Sequence, residues 1–279
     1  MKGRLEIVGT PIGNLADLSP RAVASLEGAD VILCEDTRRT RALLSAAGIP
    51  GGGRLRAFHD HNEGILEDRL VGELLSGSVV VLVSDAGMPA ISDPGQGLVA
   101  AAAAAGIEVT VVPGPSAVLA GLVVSGLATE RFCMEGFLPR KGQARRTAFE
   151  LLAAEERTTV LFESPQRLAA LLVDLCAQLG GDRRVAVARE LTKLHEEVWR
   201  GTLGEAAERW RQVEPRGEYV VVLEGARPPE VVEVDDTEIV AHLRGSIASG
   251  ASKRDAAQRA AADLGVARRR AYELATRLG

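Results

Sequence analysis

The run Val79-Val-Val-Leu-Val83 is the most apolar stretch of the chain, and it stops abruptly at Ser84-Asp-Ala-Gly-Met-Pro-Ala-Ile-Ser-Asp-Pro-Gly-Gln-Gly97. A β-branched run without polar alternation is the pattern of a strand covered on both faces, as in a parallel sheet between helix layers. The segment that follows holds Gly87, Gly95, Gly97, Pro89, Pro94 and the carboxylates Asp85 and Asp93, so it cannot continue the strand. Ligands in an open parallel sheet settle just beyond the carboxyl ends of strands. The loop either holds a ligand through its backbone or simply turns the chain, and the neighbouring segments decide between the two.

Strand-like runs at Leu5–Gly9, Asp30–Cys34, Leu55–Phe58, Val79–Val83 and Glu108–Val112 alternate with helix-forming stretches. Ser19-Pro20 is a cap followed by proline at its preferred first helical position. Repeated strand–loop–helix order predicts an α/β domain with a parallel sheet. Five loops then share one edge: Gly9–Asn14, Glu35–Thr40, Phe58–Glu63, Ser84–Gly95 and Val111–Ala117. Further strands are expected at Thr159–Phe162, Arg184–Ala188 and Tyr219–Leu223, with helices entered at Ser164-Pro165 and near Leu203. The organisation expected is an N-terminal α/β domain over 1–120, a second over 121–228, and a linker with a small basic helical domain over 229–279.

Composition narrows the function classes. With 46% hydrophobic and 25% charged residues, the chain has the balance of a globular protein. Aromatics at 3% argue against a surface that stacks bases. Cys34, Cys133 and Cys176 are isolated, without the paired spacing of a structural zinc site, which suggests a reducing compartment. The N-terminal residues enter a strand pattern without a signal-peptide core, and no apolar run is long enough to span a bilayer, so a cytoplasmic location is expected. Net charge is −5, yet residues 241–279 carry eight bases against three acids, after five acids in 229–240. That reversal marks a basic appendage suited to RNA phosphates.

Two cofactor classes find no pattern. The first loop lacks the GxGxxG dinucleotide fingerprint, and no GxxxxGK[ST] phosphate loop is present. His59 and His61, two apart in an extended stretch, point to opposite faces and have no matching pair, so no metal is expected.

Taken in order, GTPIGN, EDTR, HDHNE, VSDAGMPAISDPG, PGPSA, RFCMEGFLPRK, FESPQR, ARELTK and GEYVVVLEG resemble one family across Leu5 to Gly225. It is the S-adenosylmethionine-dependent small-subunit ribosomal RNA methyltransferase I family, which methylates a cytidine 2′-hydroxyl. The resemblance implies the tetrapyrrole-methylase fold, two α/β domains with the cofactor cleft between them, and a homodimer. It implies cofactor contacts from Pro11, Asp85, Ala86, Met88, Ile91, Ser92, Ser116, Ala117, Phe162, Glu163, Ala188 and Arg189. Family members commonly have Thr where this chain has Met88, so a hydroxyl contact there is lost while a backbone contact survives. For the proton of a 2′-hydroxyl, a poor nucleophile, the candidates at the shared edge are Glu35, Asp36, His59, His61, Glu63, Glu190 and Lys193, with Arg38 beside Asp36. A lysine with a burial-depressed pKa or a histidine suits neutral pH better than a solvated carboxylate, though Asp36–Arg38 and Glu190–Lys193 also read as structural ion pairs. Arg39, Arg41, Arg140, Lys141, Arg145, Arg146, Arg268, Arg269 and Arg270 are candidate phosphate contacts to ribosomal RNA or an assembled small subunit. Two alternatives stay open: a tetrapyrrole methyltransferase of the same fold, and an RNA-binding module with an inactive cleft.

Overall fold

The computed structural model describes residues 3–59, 61–227 and 234–278. Met1–Ala226 is one compact unit and Arg227–Gly279 another. Residues 229–233, which begin the linker and basic domain expected over 229–279, lie outside the described residues, as does Asp60 of the HDHNE segment.

The first unit begins β1 (Arg4–Val8), α1 (Pro20–Gly28), β2 (Val31–Cys34), α2 (Thr37–Ala46), β3 (Leu55–Ala57), α3 (Glu63–Leu75), β4 (Val79–Leu82), α4 (Gln96–Ala104) and β5 (Glu108–Val112). The sheet order is β3-β2-β4-β1-β5, with every pairing parallel. The apolar run of β4 is therefore the central strand. Its residues alternate between two cores. Val80 and Leu82 join Leu70, Leu74 and Leu98 from α3 and α4, whereas Val81 and Val83 join Ala22, Leu26 and Leu44 from α1 and α2. Burial on both faces explains why no polar residue interrupts the run. At the start of α1 the Ser19 hydroxyl accepts the Ala22 N–H at 3.1 Å, with Pro20 at the first helical position.

The unit continues with α5 (Ala117–Ser125), β6 (Phe132–Gly136), α6 (Gly142–Ala154), β7 (Thr158–Glu163), α7 (Pro165–Leu179), β8 (Arg184–Arg189), β9 (Glu197–Thr202), α8 (Leu203–Gln212) and β10 (Tyr219–Leu223). This sheet runs β6-β7-β10-β8-β9. Only β6–β7 is parallel; β10 is antiparallel to both β7 and β8, and β9 to β8. The two edge strands, β6 and β9, fall outside the sequence expectation. Both are partly exposed and carry charged residues, as edges do, so neither reads as an apolar run. The expected domain boundary at 120 falls inside α5, whose Val118 and Leu122 pack with Val160, Ala186 and Val220 of the second sheet.

In the other unit α9 (Asp236–Ala248), α10 (Lys253–Asp263) and α11 (Arg268–Arg277) enclose a small core of Ile239, Leu243, Ala256, Ala260, Ala271 and Leu274. Ser252 caps α10, accepting the Asp255 N–H at 3.2 Å. Among the described residues, no helix is long and apolar enough to cross a membrane.

Candidate active site

A cavity of about 1000 Å³ is lined by loops of both sheets. All five carboxyl ends of the parallel sheet contribute: Ile12 after β1, Glu35 to Arg39 after β2, His59 after β3, Asp85 to Met88 with Ile91 to Asp93 after β4, and Ser116 after β5. The second sheet adds Phe137 after β6, Phe162 to Pro165 at the carboxyl end of β7, Leu191 and Lys193 after β8, and Glu218 to Val220 around the start of β10. Tyr219 pairs with Glu163 on one side and Arg189 on the other. The amino end of β10 thus lies beside the carboxyl ends of its neighbours.

On the first wall, the loop after β4 is stitched to the loop after β1. Thr10 N–H donates to Gly87 O at 2.9 Å, and Gly87 N–H returns the bond to Thr10 O at 3.1 Å. A Cβ at Gly9 would stand 2.7 Å from Gly114 Cα and 2.7 Å from the Met88 sulfur, so the loops after β1 and β5 meet at backbone contact. Asp85 accepts the Asp36 N–H at 3.1 Å and lies 3.4 Å from Arg39. Asp36 caps α2 through the Arg38 N–H at 2.8 Å, and its carboxylate also accepts from the Arg38 guanidinium at 2.9 Å. Those Arg38 hydrogen bonds, side chain first and then backbone, hold the Asp36 carboxyl down at about 2. Glu63 reaches across from α3 and accepts the Gly95 and Gly97 N–H groups, each at 3.1 Å, capping α4 where Gly95 offers no side chain.

On the second wall, the Lys193 ammonium donates to Glu190 at 2.8 Å and to Glu218 at 2.7 Å. Glu190 also accepts the Glu218 N–H at 2.9 Å. Burial works against charge on both Glu190 and Lys193, yet the hydrogen bonds prevail. The Glu190 carboxyl lies below its ordinary range, through Lys193 and the Glu218 N–H, and the Lys193 ammonium lies above its own, through the two carboxylates. Glu163 is buried, accepts the Ser164 N–H at 2.8 Å and sits 3.2 Å from Arg167. The rings of Phe137 and Phe162 are 5.7 Å apart.

Among the described residues, the non-glycine residues with left-handed backbone are Ala90 (φ 63°), Ser92 (φ 61°), Glu190 (φ 51°) and Thr192 (φ 67°). All four belong to the loops after β4 and β8, both of which contribute to the cavity lining. Each such residue costs about 1–3 kcal/mol, and strain of this kind collects at functional sites.

Residues 4–207 match the family of Tetrapyrrole (Corrin/Porphyrin) Methylases. A protein named Ribosomal RNA small subunit methyltransferase I from Mycobacterium tuberculosis (strain CDC 1551 / Oshkosh) is 48% identical over 97% of this chain and 94% of its own. One of the same name from Synechocystis sp. (strain ATCC 27184 / PCC 6803 / Kazusa) is 44% identical over 99% and 98%.

This chain belongs to that family.

It is a methyltransferase. The solved structure of uroporphyrin-III C-methyl transferase from Thermus thermophilus, complexed with S-adenosyl homocysteine, shares the fold at TM-score 0.54 and 23% identity, over 80% of this chain and 97% of that one.

Of the cofactor residues that family resemblance implied, Asp85, Ala86, Met88, Ile91, Ser92, Ser116, Ala117, Phe162 and Glu163 line the cavity. Pro11 does not, although Ile12 next to it does. Ala188 is buried in the core beneath the sheet, and Arg189 turns away to donate to Arg216 O at 2.7 Å. Met88 packs into the first core with its sulfur against Gly9, which accounts for an apolar residue at this position. Among the proton-handling candidates, Glu35, Asp36, Arg38, His59 and Lys193 line the cavity. His61 is exposed and does not, Glu63 is the α4 cap, and Glu190 supports Lys193 from behind. The lysine with a burial-depressed pKa is absent at Lys193, because two carboxylates outweigh burial. Of the phosphate candidates, Arg39 lines the cavity, while Arg41, Arg140, Lys141 and Arg146 are exposed. Arg145 is taken up by the fold: it bonds Asp174 at 2.6 Å and lies over the Phe149 ring at 4.7 Å. Arg268, Arg269 and Arg270 are exposed on α11, where Arg269 pairs with Glu273 and Arg270 with Asp236.

Sequence reasoning missed Phe137, Leu191, Glu218 and Tyr219. Glu218 and Tyr219 stand before an apolar strand, so a search of carboxyl ends passes over them; the GEY triplet ahead of β10 was the available signal.

Proposed function

We propose that this chain transfers the methyl group of S-adenosylmethionine to the ribose 2′-hydroxyl of a cytidine in small-subunit (16S) ribosomal RNA. The observation that carries the reading is identity of 44–48% sustained over 97–99% of the chain with relatives named for that RNA. The cavity suits the donor. Its lining carries six carboxylates (Glu35, Asp36, Asp85, Asp93, Glu163 and Glu218) against three cationic side chains (Arg38, Arg39 and Lys193). A negative lining attracts a cationic sulfonium and holds the product, which has lost that charge, less tightly. At about 1000 Å³ the cavity is at the upper end of the roughly 300–1,000 Å³ typical of small-molecule sites, leaving room for a nucleotide beside the cofactor.

S-adenosylmethionine supplies the methyl group and the leaving sulfur. Asp85, Ala86, Met88, Ile91, Ser92, Ser116, Ala117, Phe162 and Glu163 hold it, the start of α5 offering backbone N–H groups that the helix leaves unused. Exposed Ile91 and Phe137 give the cavity an apolar surface for flat rings. The acceptor lies beside it, among Arg38, Arg39, His59, Lys193 and Glu218, which come from both walls. Holding both reactants in one cavity orients the hydroxyl toward the methyl group.

Arg41, Arg140, Lys141 and Arg146, with Arg268, Arg269 and Arg270 on α11, position the RNA through its phosphates. Removing residues 227–279 should weaken RNA binding and reduce its salt dependence, and unchanged affinity at low and moderate salt would remove this role. A second copy of the chain pairs over Leu119 and Val123, which stand 52% and 72% exposed one turn apart on α5; sedimentation of a Val123→Asp variant reads this directly. The enzyme works in the cytoplasm, where ribosomes are assembled.

Labelled S-adenosylmethionine incubated with the protein and undermethylated small subunits tests the whole reading. The expected result is label at a cytidine 2′-position. Label in a porphyrinogen or corrinoid instead, or cofactor bound without transfer, overturns it.

A further inference from the structure

Several features converge on one ammonium. Lys193 is the cationic side chain that the second sheet contributes to the cavity lining. It is gripped by two carboxylates with different surroundings. Glu190 is largely buried and tied to the Glu218 N–H, whereas the Glu218 carboxylate is 73% exposed and itself lines the cavity. The loop carrying Lys193 is left-handed at Glu190 and Thr192. It is also pressed against the loop after β1: a Cβ on Gly13 would collide with Lys193 Cγ and approach Thr192 Oγ1 to 2.9 Å. A solvated surface ion pair returns too little to justify a strained loop and a glycine contact. The other acidic and basic candidates with defined partners are committed elsewhere: Asp36 to Arg38, Glu63 to the α4 cap, Asp85 to Arg39 and the Asp36 N–H.

We propose that Lys193 acts on the acceptor as an ammonium hydrogen-bond donor, contacting the oxygen to be methylated, and that Glu218 is the positioning residue that keeps it aimed. The proposal rests on the functional reading above. In the transfer, the acceptor oxygen bonds the methyl carbon as the carbon–sulfur electron pair returns to sulfur, and the hydroxyl proton leaves to water. Lys193 donates a hydrogen bond to that oxygen as negative charge builds on it, stabilising the developing alkoxide without exchanging a proton. The raised Lys193 pKa agrees with this role and is the opposite of what a general base at neutral pH requires.

Single-turnover methylation of undermethylated small subunits, with calorimetry of S-adenosylhomocysteine binding on the same preparations, tests the assignment. Lys193→Gln should lower the rate roughly 100-fold with cofactor affinity unchanged, the loss typical of removing one such donor. Lys193→Arg should restore it to within roughly tenfold, because it keeps the charge and the donor. Glu218→Gln should lower the rate roughly tenfold, while Glu218→Asp recovers part of it. The ratio of wild-type to Lys193→Arg rates should stay constant between about pH 6 and pH 9. A Lys193→Arg variant as slow as Lys193→Gln, with a wild-type rate that alone rises with pH, would make Lys193 a base and overturn the proposal. Wild-type rates in both Lys193→Gln and Glu218→Gln would overturn it too. Both results differ from failure of the functional reading, in which the wild-type protein itself transfers no label to RNA.

Discussion

In the first sheet every strand delivers its carboxyl end to the cavity, whereas in the second β6, β7 and β8 deliver carboxyl ends and β10, antiparallel between β7 and β8, delivers its amino end. The two walls differ chemically as well. The first pairs carboxylates with arginines, Asp36 with Arg38 and Asp85 with Arg39, near the mouth. The second also pairs Glu163 with Arg167, and in addition places Lys193 between Glu190 and Glu218. Arginine stays charged at any accessible pH, while lysine takes its state from its neighbours. Both walls therefore carry arginine–carboxylate pairs, and the second adds an ammonium whose charge its two carboxylates sustain.

The largest expected effect separates the walls by what they hold. Asp85→Ala should weaken S-adenosylhomocysteine binding about 100-fold while leaving thermal unfolding close to wild type, since its contacts are Arg39 and the Asp36 N–H. Near-normal calorimetric affinity would move the cofactor off the first wall and erase the division. A smaller effect isolates scaffolding from chemistry. Glu63→Ala should cost about 1–2 kcal/mol of stability in urea unfolding, as loss of a helix cap does, because the Gly95 and Gly97 N–H groups lose their acceptor. A fall in single-turnover rate with no loss of stability would instead return Glu63 to the reacting groups.

The smallest effect is in the pH dependence of stability. Asp36 at about 2 and Glu190, lowered, have folded values below their unfolded ones. Each contributes stability above the unfolded carboxyl value of about 4, lost as pH falls toward the folded value. Lys193 has a raised folded value, so its contribution is full below the ordinary lysine value of about 10.4 and is lost as pH rises through the folded one. Both walls should weaken in acid, and the second alone on the alkaline side. Urea midpoints across pH should show an alkaline decline that Lys193→Arg shifts upward; an identical decline in both proteins would place its origin elsewhere.

Much of this was legible before any coordinates. The apolar run 79–83 marked the central strand, and the breaker-rich segments after five strands marked the cavity edge, because strand burial and turn chemistry are written in adjacent residues. The second wall was only partly legible. Glu218 and Tyr219 came to the cavity through an antiparallel pairing, and pairing direction depends on which distant strand lies alongside. Ala188 and Arg189 do not line the cavity because their surroundings are tertiary: Ala188 packs into the core under α5, and the Arg189 side chain is taken up by the Arg216 carbonyl. The edge strands β6 and β9 were missed because half-solvated strands have no unbroken apolar pattern.

Sequence alone determined the parallel sheet, the Ser84–Gly97 loop at its edge and, through ordered motifs, the family. Each of these follows from local periodicity or from residues close together in the chain. Tertiary structure alone decided the distant partners of the charges: that Glu63 caps α4, that Arg145 serves the fold, and that Glu218 joins Glu190 on Lys193. A charge's protonation state and work depend on groups within a few ångströms, and here those groups lie 25, 29 and 32 residues apart in the chain.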